Sequence, residues 1–376
     1  MCFDWVAGAP AAEPVVLSYD VTVADDAPEG VVTNAAVHDT DDVYTLPETA
    51  SWDLSIEPLR VSGNDRIGTS IALSQEGWDS SEWVILTRSD DYPDALAGAP
   101  LAAVMDAPIL LNPADHLDPR VEAEIVRLGA SKVILLGGPL ALGPIIEQEV
   151  EQVVTDAIGP QDVDVDVVVR IGGENRYDTA ALIAGFIDDR VDEPIDSVVF
   201  SLGTSFADAL AAGSLATATT SPILLVQTDA VPPETTEAIG DLSDVESGWV
   251  TGGELAVSAA VETELATQVP VERLSGATRY GTAAAIVTQA LAQGAGTEVA
   301  VIASGSNWPD ALSAGPVAWK LGGFLTIVHP TDLDLSSETR DQLAALAGDI
   351  GRGLIAGGPL AISQEVVDQI EAILNG

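Results

Sequence analysis

One phrase occurs three times in this chain, and its repetition constrains the fold more than any other feature. "RVSGNDRIGTS" begins at Arg60, "RIGGENRYDTA" at Arg170 and "RLSGATRYGTA" at Arg273. Each phrase places a second arginine six residues after the first. The copies begin about 105 residues apart, long enough for each to bury its own core, unlike the roughly 20–50 residue units of solenoids. The sequence therefore predicts three successive domains built on one plan.

Further landmarks follow each phrase in the same order. An aromatic residue precedes a "DAL" tripeptide in "YPDAL", "FADAL" and "WPDAL", and the apolar runs "APILL", "SPILL" and the weaker "GFLTI" come next. Each copy then reaches a double glycine in "GGPLALG", "GGELAVS" and "GGPLAIS". These glycines match neither the dinucleotide fingerprint nor the phosphate-binding loop, and they favour a tight turn between a strand and a helix.

Copy two shows the expected fold most clearly. The segments "VDVVVRIGG", "DSVVFSLG", "SPILLVQ" and "SGWVTGG" are short and apolar, and helical stretches such as "YDTAALIAGFI" and "ADALAAGSLATAT" separate them. This alternation predicts a parallel sheet covered by helices on both faces. We expect three tandem doubly wound α/β domains (Rossmann-like or flavodoxin-like) of four or five strands, at residues 54–165, 166–269 and 270–376.

Residues 1–53 differ from the repeats. "VVLSYDVTVADDAPEGVVTNAAVH" alternates apolar and polar residues around a "DDAPEG" turn, which predicts antiparallel β structure. The segment resembles the last strands of Ig-like bacterial surface domains. With no export signal visible in the sequence, we expect the chain to be part of a longer exported protein with a separate passenger domain.

The charge of the chain narrows its partners. Lys and Arg number 14 against 59 Asp and Glu, which gives a net charge of −45. Such a surface favours a halophilic source, where salt screens self-repulsion, and a merely acidic secreted protein is the alternative. In either case nucleic acid and anionic membranes are poor partners. Cys2 is the single cysteine, so neither an internal disulfide nor a cysteine-based metal site is expected. The sequence predicts no membrane span, metal or cofactor.

Half of the twelve arginines lie in the repeated phrase. We call them the first arginines (Arg60, Arg170 and Arg273) and the second arginines (Arg66, Arg176 and Arg279). The loop aspartates are those of the "DAL" tripeptides (Asp94, Asp208 and Asp310). An arginine and a loop aspartate could pair and lock two loops together. Alternatively, these residues bind an anionic ligand, because strand ends and helix starts form the ligand edge of an open α/β sheet.

The ordered set of R-x-x-G-x-x-R-x-x-T, "DAL", "PILL" and "GG" resembles the bacterial cell wall binding type 2 repeat over residues 57–376. The resemblance implies three α/β domains with pseudo-threefold symmetry that attach a surface protein noncovalently to an anionic wall polysaccharide or teichoic-type polymer. It also carries over Gly63, Gly173 and Gly276 and Thr69, Thr179 and Thr282, besides the arginines and aspartates. Copy one departs with Ile67 where the other copies have Tyr177 and Tyr280, and copy two has Ala207 in place of proline.

Two other functions remain alternatives. Proteins with such repeats often carry an amidase domain, which would make the chain a wall hydrolase or its associated module, and tandem repeats also suit a surface-layer tile. The histidines His38, His116 and His329 lie outside the repeated phrases and lack zinc-binding spacing, and no nucleophile elbow is present. We therefore expect a non-enzymatic, extracellular wall-binding protein.

Overall fold

The computed structural model describes residues 2–7, 15–20, 58–158, 167–242 and 244–376. The chain divides into two compact units, Met1–Ser55 and Ile56–Gly376. In the first, β1 (Cys2–Ala7) and β2 (Val15–Asp20) form an antiparallel pair, in which β2 comes from the segment predicted to be β structure but β1 does not. The "DDAPEG" turn and the rest of the Ig-like resemblance lie outside the described residues.

Strands and helices alternate through the described part of the second unit. The strands are β3 (Leu59–Val61), β4 (Trp83–Arg88), β5 (Ile109–Asn112), β6 (Lys132–Leu136), β7 (Val168–Ile171), β8 (Ser197–Leu202), β9 (Ile223–Val226), β10 (Ser247–Thr251), β11 (Val271–Leu274), β12 (Val299–Ser304), β13 (Phe324–Val328) and β14 (Arg352–Ala356). The helices are α1 (Arg66–Gly77), α2 (Gly98–Val104), α3 (Pro119–Leu128), α4 (Pro144–Ile158), α5 (Arg176–Asp188), α6 (Ala207–Thr219), α7 (Pro233–Asp241), α8 (Ala259–Leu265), α9 (Arg279–Ala292), α10 (Pro309–Lys320), α11 (Ser337–Leu346) and α12 (Gln364–Leu374).

These strands form three four-stranded parallel sheets. Sheet one has the order β5-β4-β6-β7, sheet two β9-β8-β10-β11 and sheet three β13-β12-β14-β3. Every residue of β8 and β12 is buried. Because alternate residues of a strand point to opposite faces, helices must cover both faces of these sheets. The α/β architecture with parallel sheets expected from the sequence is confirmed, with four strands in each sheet.

The sheets cut across the sequence repeats. Strand β7 belongs to copy two but completes the sheet of copy one, and β11 of copy three likewise completes the sheet of copy two. The ring closes because β3, from copy one, pairs with β14 of copy three. The register is the same each time: Arg170 lies opposite Leu135, Arg273 opposite Val250 and Arg60 opposite Ile355. The limits predicted at 165/166 and 269/270 therefore separate the sequence repeats, but they do not separate the sheets, because each sheet takes its last strand from the next copy.

Helices α2, α6 and α10 pack against one another at the centre of the unit. They meet at small residues in the same position of each copy. A Cβ placed on Gly213 would lie 3.1 Å from the Cβ of Ala99, and one placed on Gly315 would lie 3.6 Å from it. This close approach lets three helices with equivalent sequences share one pseudo-threefold axis. No described helix is both long and apolar enough to cross a bilayer.

Candidate functional site

The repeated phrase, the "DAL" loop and the double-glycine turn all follow parallel strands. They therefore lie at the carboxyl ends of the strands, where α/β sheets usually bind ligands. We call this surface the C-terminal edge. The exchanged strands bring the phrase of one copy beside the double-glycine turn of the preceding copy, so that contacts between a phrase and such a turn tie two copies together.

The first arginines are part of the scaffold at this edge. Each donates a hydrogen bond from Nη1 to the carbonyl of the first glycine of a double-glycine turn, over 2.9 Å for Arg60, 2.8 Å for Arg170 and 2.7 Å for Arg273. These partners, which we call the turn glycines, are Gly357, Gly137 and Gly252 respectively. The pairing of first arginines with loop aspartates that the sequence offered is not observed among the described residues, and the backbone carbonyl takes its place.

Two of the first arginines also form ion pairs with the helix that follows the turn. Arg170 contacts Glu147 at 2.5 Å and Arg273 contacts Glu262 at 2.8 Å, and both arginine side chains are less than one-fifth exposed. Copy three has Val367 at the corresponding position. Arg60 therefore lacks this carboxylate, and burial lowers the pKa of its guanidinium.

The loop aspartates point into the junction between copies. A Cβ on each turn glycine would meet Oδ2 of the loop aspartate of the same copy at 2.5–2.7 Å, and all three turn glycines have φ between 99° and 108°. Only glycine suits both restrictions. On its other side, Asp94 accepts a 2.8 Å hydrogen bond from Oγ1 of Thr179, which belongs to the next copy.

The phrase threonines and glycines complete the same network. Oγ1 of each threonine accepts a hydrogen bond from the phrase glycine six residues earlier, over 3.1 Å in copies one and two and 3.2 Å in copy three. A Cβ on Gly63, Gly173 or Gly276 would lie within 2.4 Å of atoms in the first turn of the helix that follows, α1, α5 or α9 respectively. The fixed spacing of Gly and Thr in the phrase thus has a structural cause.

Two loop aspartates are strongly desolvated. Burial raises the pKa of Asp208, and the charge of Arg279 opposes that shift. Burial raises the pKa of Asp310 to about 6, against the opposing effects of Arg66 and the hydrogen bond from Thr69. The structure thus places the loop aspartates beneath the edge, where they join copies.

The second arginines lie at the surface of this edge. Each is the first residue of a helix, α1, α5 or α9. The residue before each, Asp65, Asn175 or Thr278, caps the helix with its side chain. A cation at a helix N-terminus opposes the helix dipole, at a cost of about 0.3–1 kcal/mol. Their position is therefore unfavourable for the helix itself.

Backbone carbonyls hold the second arginines in place. Nη1 of Arg66 donates to Ser89 O at 2.7 Å, and those of Arg176 and Arg279 donate to Gly203 O and Gly305 O at 2.6 Å. These carbonyls occupy equivalent positions after β4, β8 and β12. One nitrogen of each guanidinium is thereby fixed, while Nε and Nη2 form no hydrogen bond with any residue that the structure describes.

No second arginine forms a direct ion pair with a carboxylate in the part of the chain that the structure describes, although Arg66 and Arg279 act at longer range on the buried Asp310 and Asp208. Nine of the fourteen Lys and Arg residues form ion pairs there, yet Arg66, Arg176 and Arg279 do not. Acidic residues outnumber basic ones fourfold in this chain, so an unpaired guanidinium is not explained by a shortage of partners. Three such groups at equivalent positions of one edge form a candidate anion-binding surface.

An aromatic cluster lies among these guanidiniums. It consists of the aromatic residues that precede each "DAL" loop, here called the axial aromatics (Tyr92, Phe206 and Trp308). The ring centroids of Tyr92 and Phe206 are 5.7 Å apart, and those of Tyr92 and Trp308 are 5.8 Å apart. The guanidinium of Arg66 lies 5.3 Å from the Trp308 ring and that of Arg279 lies 5.7 Å from Phe206. Sequence reasoning did not assign the axial aromatics to the site. The signal that could have identified them is the aromatic residue at the same position before each "DAL" tripeptide.

The departure at Ile67 has a structural explanation. A Cβ on Gly203 would lie 2.8 Å from the Tyr177 ring, and one on Gly305 would lie 2.5 Å from the Tyr280 ring. Copy one has Ser89 at the position of these glycines. In copy one, the smaller Ile67 thus leaves room for the side chain of Ser89, which glycine lacks in the other copies.

Each double-glycine turn also carries a leucine that is almost fully exposed. These are Leu140, Leu255 and Leu360, at 95%, 98% and 103% relative exposure. They occupy the same position in each copy and lie at the C-terminal edge.

The remaining candidate groups do not form a further site. His116 contacts Asp115 at 2.7 Å in an exposed loop, and the His329 ring packs 6.2 Å from Tyr280. His38 lies outside the described residues. Among the described residues, no group of three or more His, Cys, Asp or Glu side chains could hold a metal ion.

Comparison with protein families identifies the repeats. The model for cell wall binding domain 2 matches residues 60–147, 170–262 and 273–367, so that each match begins at a first arginine. Two curated relatives come from Bacillus subtilis (strain 168). They are the N-acetylmuramoyl-L-alanine amidase LytC, 27% identical over 86% of this chain, and the amidase enhancer, 26% identical over 75%. The chain spans 59% and 36% of their respective lengths.

Solved structures agree with this comparison. Cwp6 from Clostridium difficile matches with a TM-score of 0.73 and 25% identity, covering 92% of this chain and 51% of Cwp6. Cwp8 from the same organism matches with a TM-score of 0.72 and 24% identity, covering 85% of this chain and 52% of Cwp8. This similarity shows a shared fold.

Proposed function

Because the chain belongs to the cell wall binding domain 2 family, we propose that it attaches a surface protein noncovalently to an anionic polymer of the cell wall through the second arginines. Its place is then outside the cell, at the wall. The similarity to the amidase LytC and to the amidase enhancer supports a role at the wall.

The observation that carries this proposal is the set of three unpaired guanidiniums at the C-terminal edge. Each is fixed by one nitrogen to a backbone carbonyl, so its remaining donors are oriented before the ligand arrives. Preorganised donors bind an anion at a smaller entropic cost. The first arginines and loop aspartates then act indirectly, by holding the loops that position the second arginines.

The net charge of −45 opposes this binding at long range. Salt removes that obstacle, since at about 0.5–1 M the Debye length falls to about 3–4 Å while contacts between adjacent groups persist in part. We therefore expect binding to a polyanion to be weak at low ionic strength and stronger at moderate salt.

The test replaces all three second arginines by glutamine, which retains an N–H donor for the carbonyl but removes the charge. We expect the variant to melt near the parent temperature and to bind purified wall at least about 1000-fold more weakly, since contacts to charged groups contribute about 1.5–3 kcal/mol each.

Arg190→Gln is the matched control. This exposed guanidinium follows the opposite end of α5, has no ion pair among the described residues and contacts Phe186. If the control loses as much affinity for the wall as the triple variant does, binding depends on overall charge and not on the second arginines, which contradicts the proposal. Unchanged binding in the triple variant would refute the proposal. The alternatives of wall hydrolase and surface-layer tile receive no specific support from the described residues.

A further inference from the structure

The axial aromatics lie directly before helical segments at the C-terminal edge, Phe206 before α6, Trp308 before α10 and Tyr92 before the short helical turn that leads to α2. The helices beneath them, α2, α6 and α10, already close the pseudo-threefold axis through small residues. Trp308 is 7% exposed and packs as a buried base, whereas Tyr92 and Phe206 are partly exposed at the edge. Partly exposed aromatic rings beside fixed polar donors are typical of ligand sites.

We propose that the axial aromatics form a sugar-ring subsite, so that the ligand is a polysaccharide whose pyranose rings carry a carboxylate or a phosphate. This inference rests on the proposed function and specifies its ligand. One face of a pyranose presents C–H groups, which pack against an aromatic face, and its anionic substituent can reach a neighbouring guanidinium.

The geometry provides both contacts at once. The centroid of Phe206 lies 5.7 Å from the Arg279 guanidinium, and Trp308 lies 5.3 Å from that of Arg66. A sugar ring on Phe206 would thus have its substituents within about one sugar width of a fixed cation. Tyr92 is oriented by a 3.3 Å hydrogen bond from its hydroxyl to Thr204 O and by its edge contact with Phe206. A polyol phosphate chain has no ring face and would use only the arginines.

The experiment compares three polymers at equal anion concentration, by calorimetry at moderate salt. Polygalacturonate supplies rings with carboxylates, phosphomannan supplies rings with phosphates, and poly(glycerol phosphate) supplies phosphates without rings. We expect the parent protein to bind at least one ring polymer about tenfold or more tightly than poly(glycerol phosphate), a difference of about 1.4 kcal/mol. The preferred ring polymer identifies the anion.

Two variants test the residues themselves. Tyr92→Leu with Phe206→Leu retains apolar volume without an aromatic face, and we expect it to lose the preference for ring polymers while binding poly(glycerol phosphate) as the parent does. Tyr92→Phe with Phe206→Tyr retains both rings and should keep the preference. Thermal melting verifies the fold of both variants.

Equal affinity of the parent for all three polymers would overturn the subsite, even if the leucine variant fails to fold. An unchanged preference in a folded leucine variant would overturn it as well. If purified wall binds but neither ring polymer does, the subsite is wrong and the proposed function stands. If the parent binds neither wall nor any polymer, both fail.

Discussion

At the scale of the residue, the repeated phrase combines two kinds of arginine. The first arginine of each copy bonds to a turn glycine and belongs to the scaffold. The second is held by a carbonyl and forms no direct ion pair among the described residues. The same side chain thus serves structure at one position and, as we propose, binding six residues later, because only the second lies at the surface of the edge.

The tyrosine-glycine contact gives a prediction for a matched pair of residues. Gly305→Ser should destabilise the protein by about 1–3 kcal/mol, because its Cβ would overlap the Tyr280 ring. Adding Tyr280→Ile reproduces the combination of Ile67 and Ser89 in copy one and should restore part of the loss. Urea unfolding measures both free energies, and a double variant less stable than Gly305→Ser would contradict the explanation.

Asp310 predicts a pH dependence of stability. Its folded pKa of about 6 exceeds the ordinary value of 3.8, so the folded state binds its proton more tightly than the unfolded state does. This group therefore favours folding at low pH, and that contribution is lost as the pH rises from about 4 to 6. Asp310→Asn should gain stability relative to the parent over this range, by up to about 3 kcal/mol above pH 7.

The variant retains an oxygen that can accept the hydrogen bond from Thr69. The test measures the unfolding free energies of parent and variant between pH 4 and 8, and the difference between them should grow as the pH rises. A difference that stays constant with pH would show that Asp310 does not titrate in this way.

At the scale of the element, exchanged strands join the three repeats at their sheets, while helices α2, α6 and α10 join them at the centre. Each of β7, β11 and β3 lies beside a strand of another copy. The chain itself links copy one to copy two and copy two to copy three, whereas copies three and one are joined only noncovalently, through β3 and through helix packing such as that of α1 with α10. Two ion pairs, Lys320 with Asp106 and Arg352 with Glu76, add to this closing junction.

A truncation tests the closing strand. A chain of residues 66–376 lacks β3, and compared with residues 58–376 it should lose stability on the order of 3 kcal/mol through a buried valine and ladder hydrogen bonds. Hydrogen exchange should increase most in β14 and its neighbours in sheet three, although the deleted residues belong to copy one. Exchange that increases only in α1 would contradict the topology.

The order of elements could be predicted from the sequence because apolar runs and helical stretches alternate so regularly. Helix α6 (Ala207–Thr219) covers the predicted "ADALAAGSLATAT" segment. The strand exchange could not be predicted, because a strand between two copies has the same apolar pattern whichever sheet it joins. The partners of the first arginines were missed for a related reason: a backbone carbonyl leaves no trace in the residue types.

At the scale of the whole molecule, pseudo-threefold symmetry presents the same edge three times around one axis. Each second arginine joins the loop of its own copy, and Arg66 and Arg279 also lie over an aromatic ring of the preceding one. A repeating polymer can engage such a surface at several points, and linked weak contacts give a high overall affinity. The sequence indicated that the arginines belong to one edge, but the structure was required to divide them into those bonded to turn glycines and those without a direct ion pair among the described residues.

The most direct test measures wall affinity for the three single variants Arg66→Gln, Arg176→Gln and Arg279→Gln, with Arg190→Gln as reference. Equivalent junctions predict a similar loss for each, about tenfold, and losses that multiply when variants are combined. Wall binding that survives all three changes at the level of the reference would contradict the account.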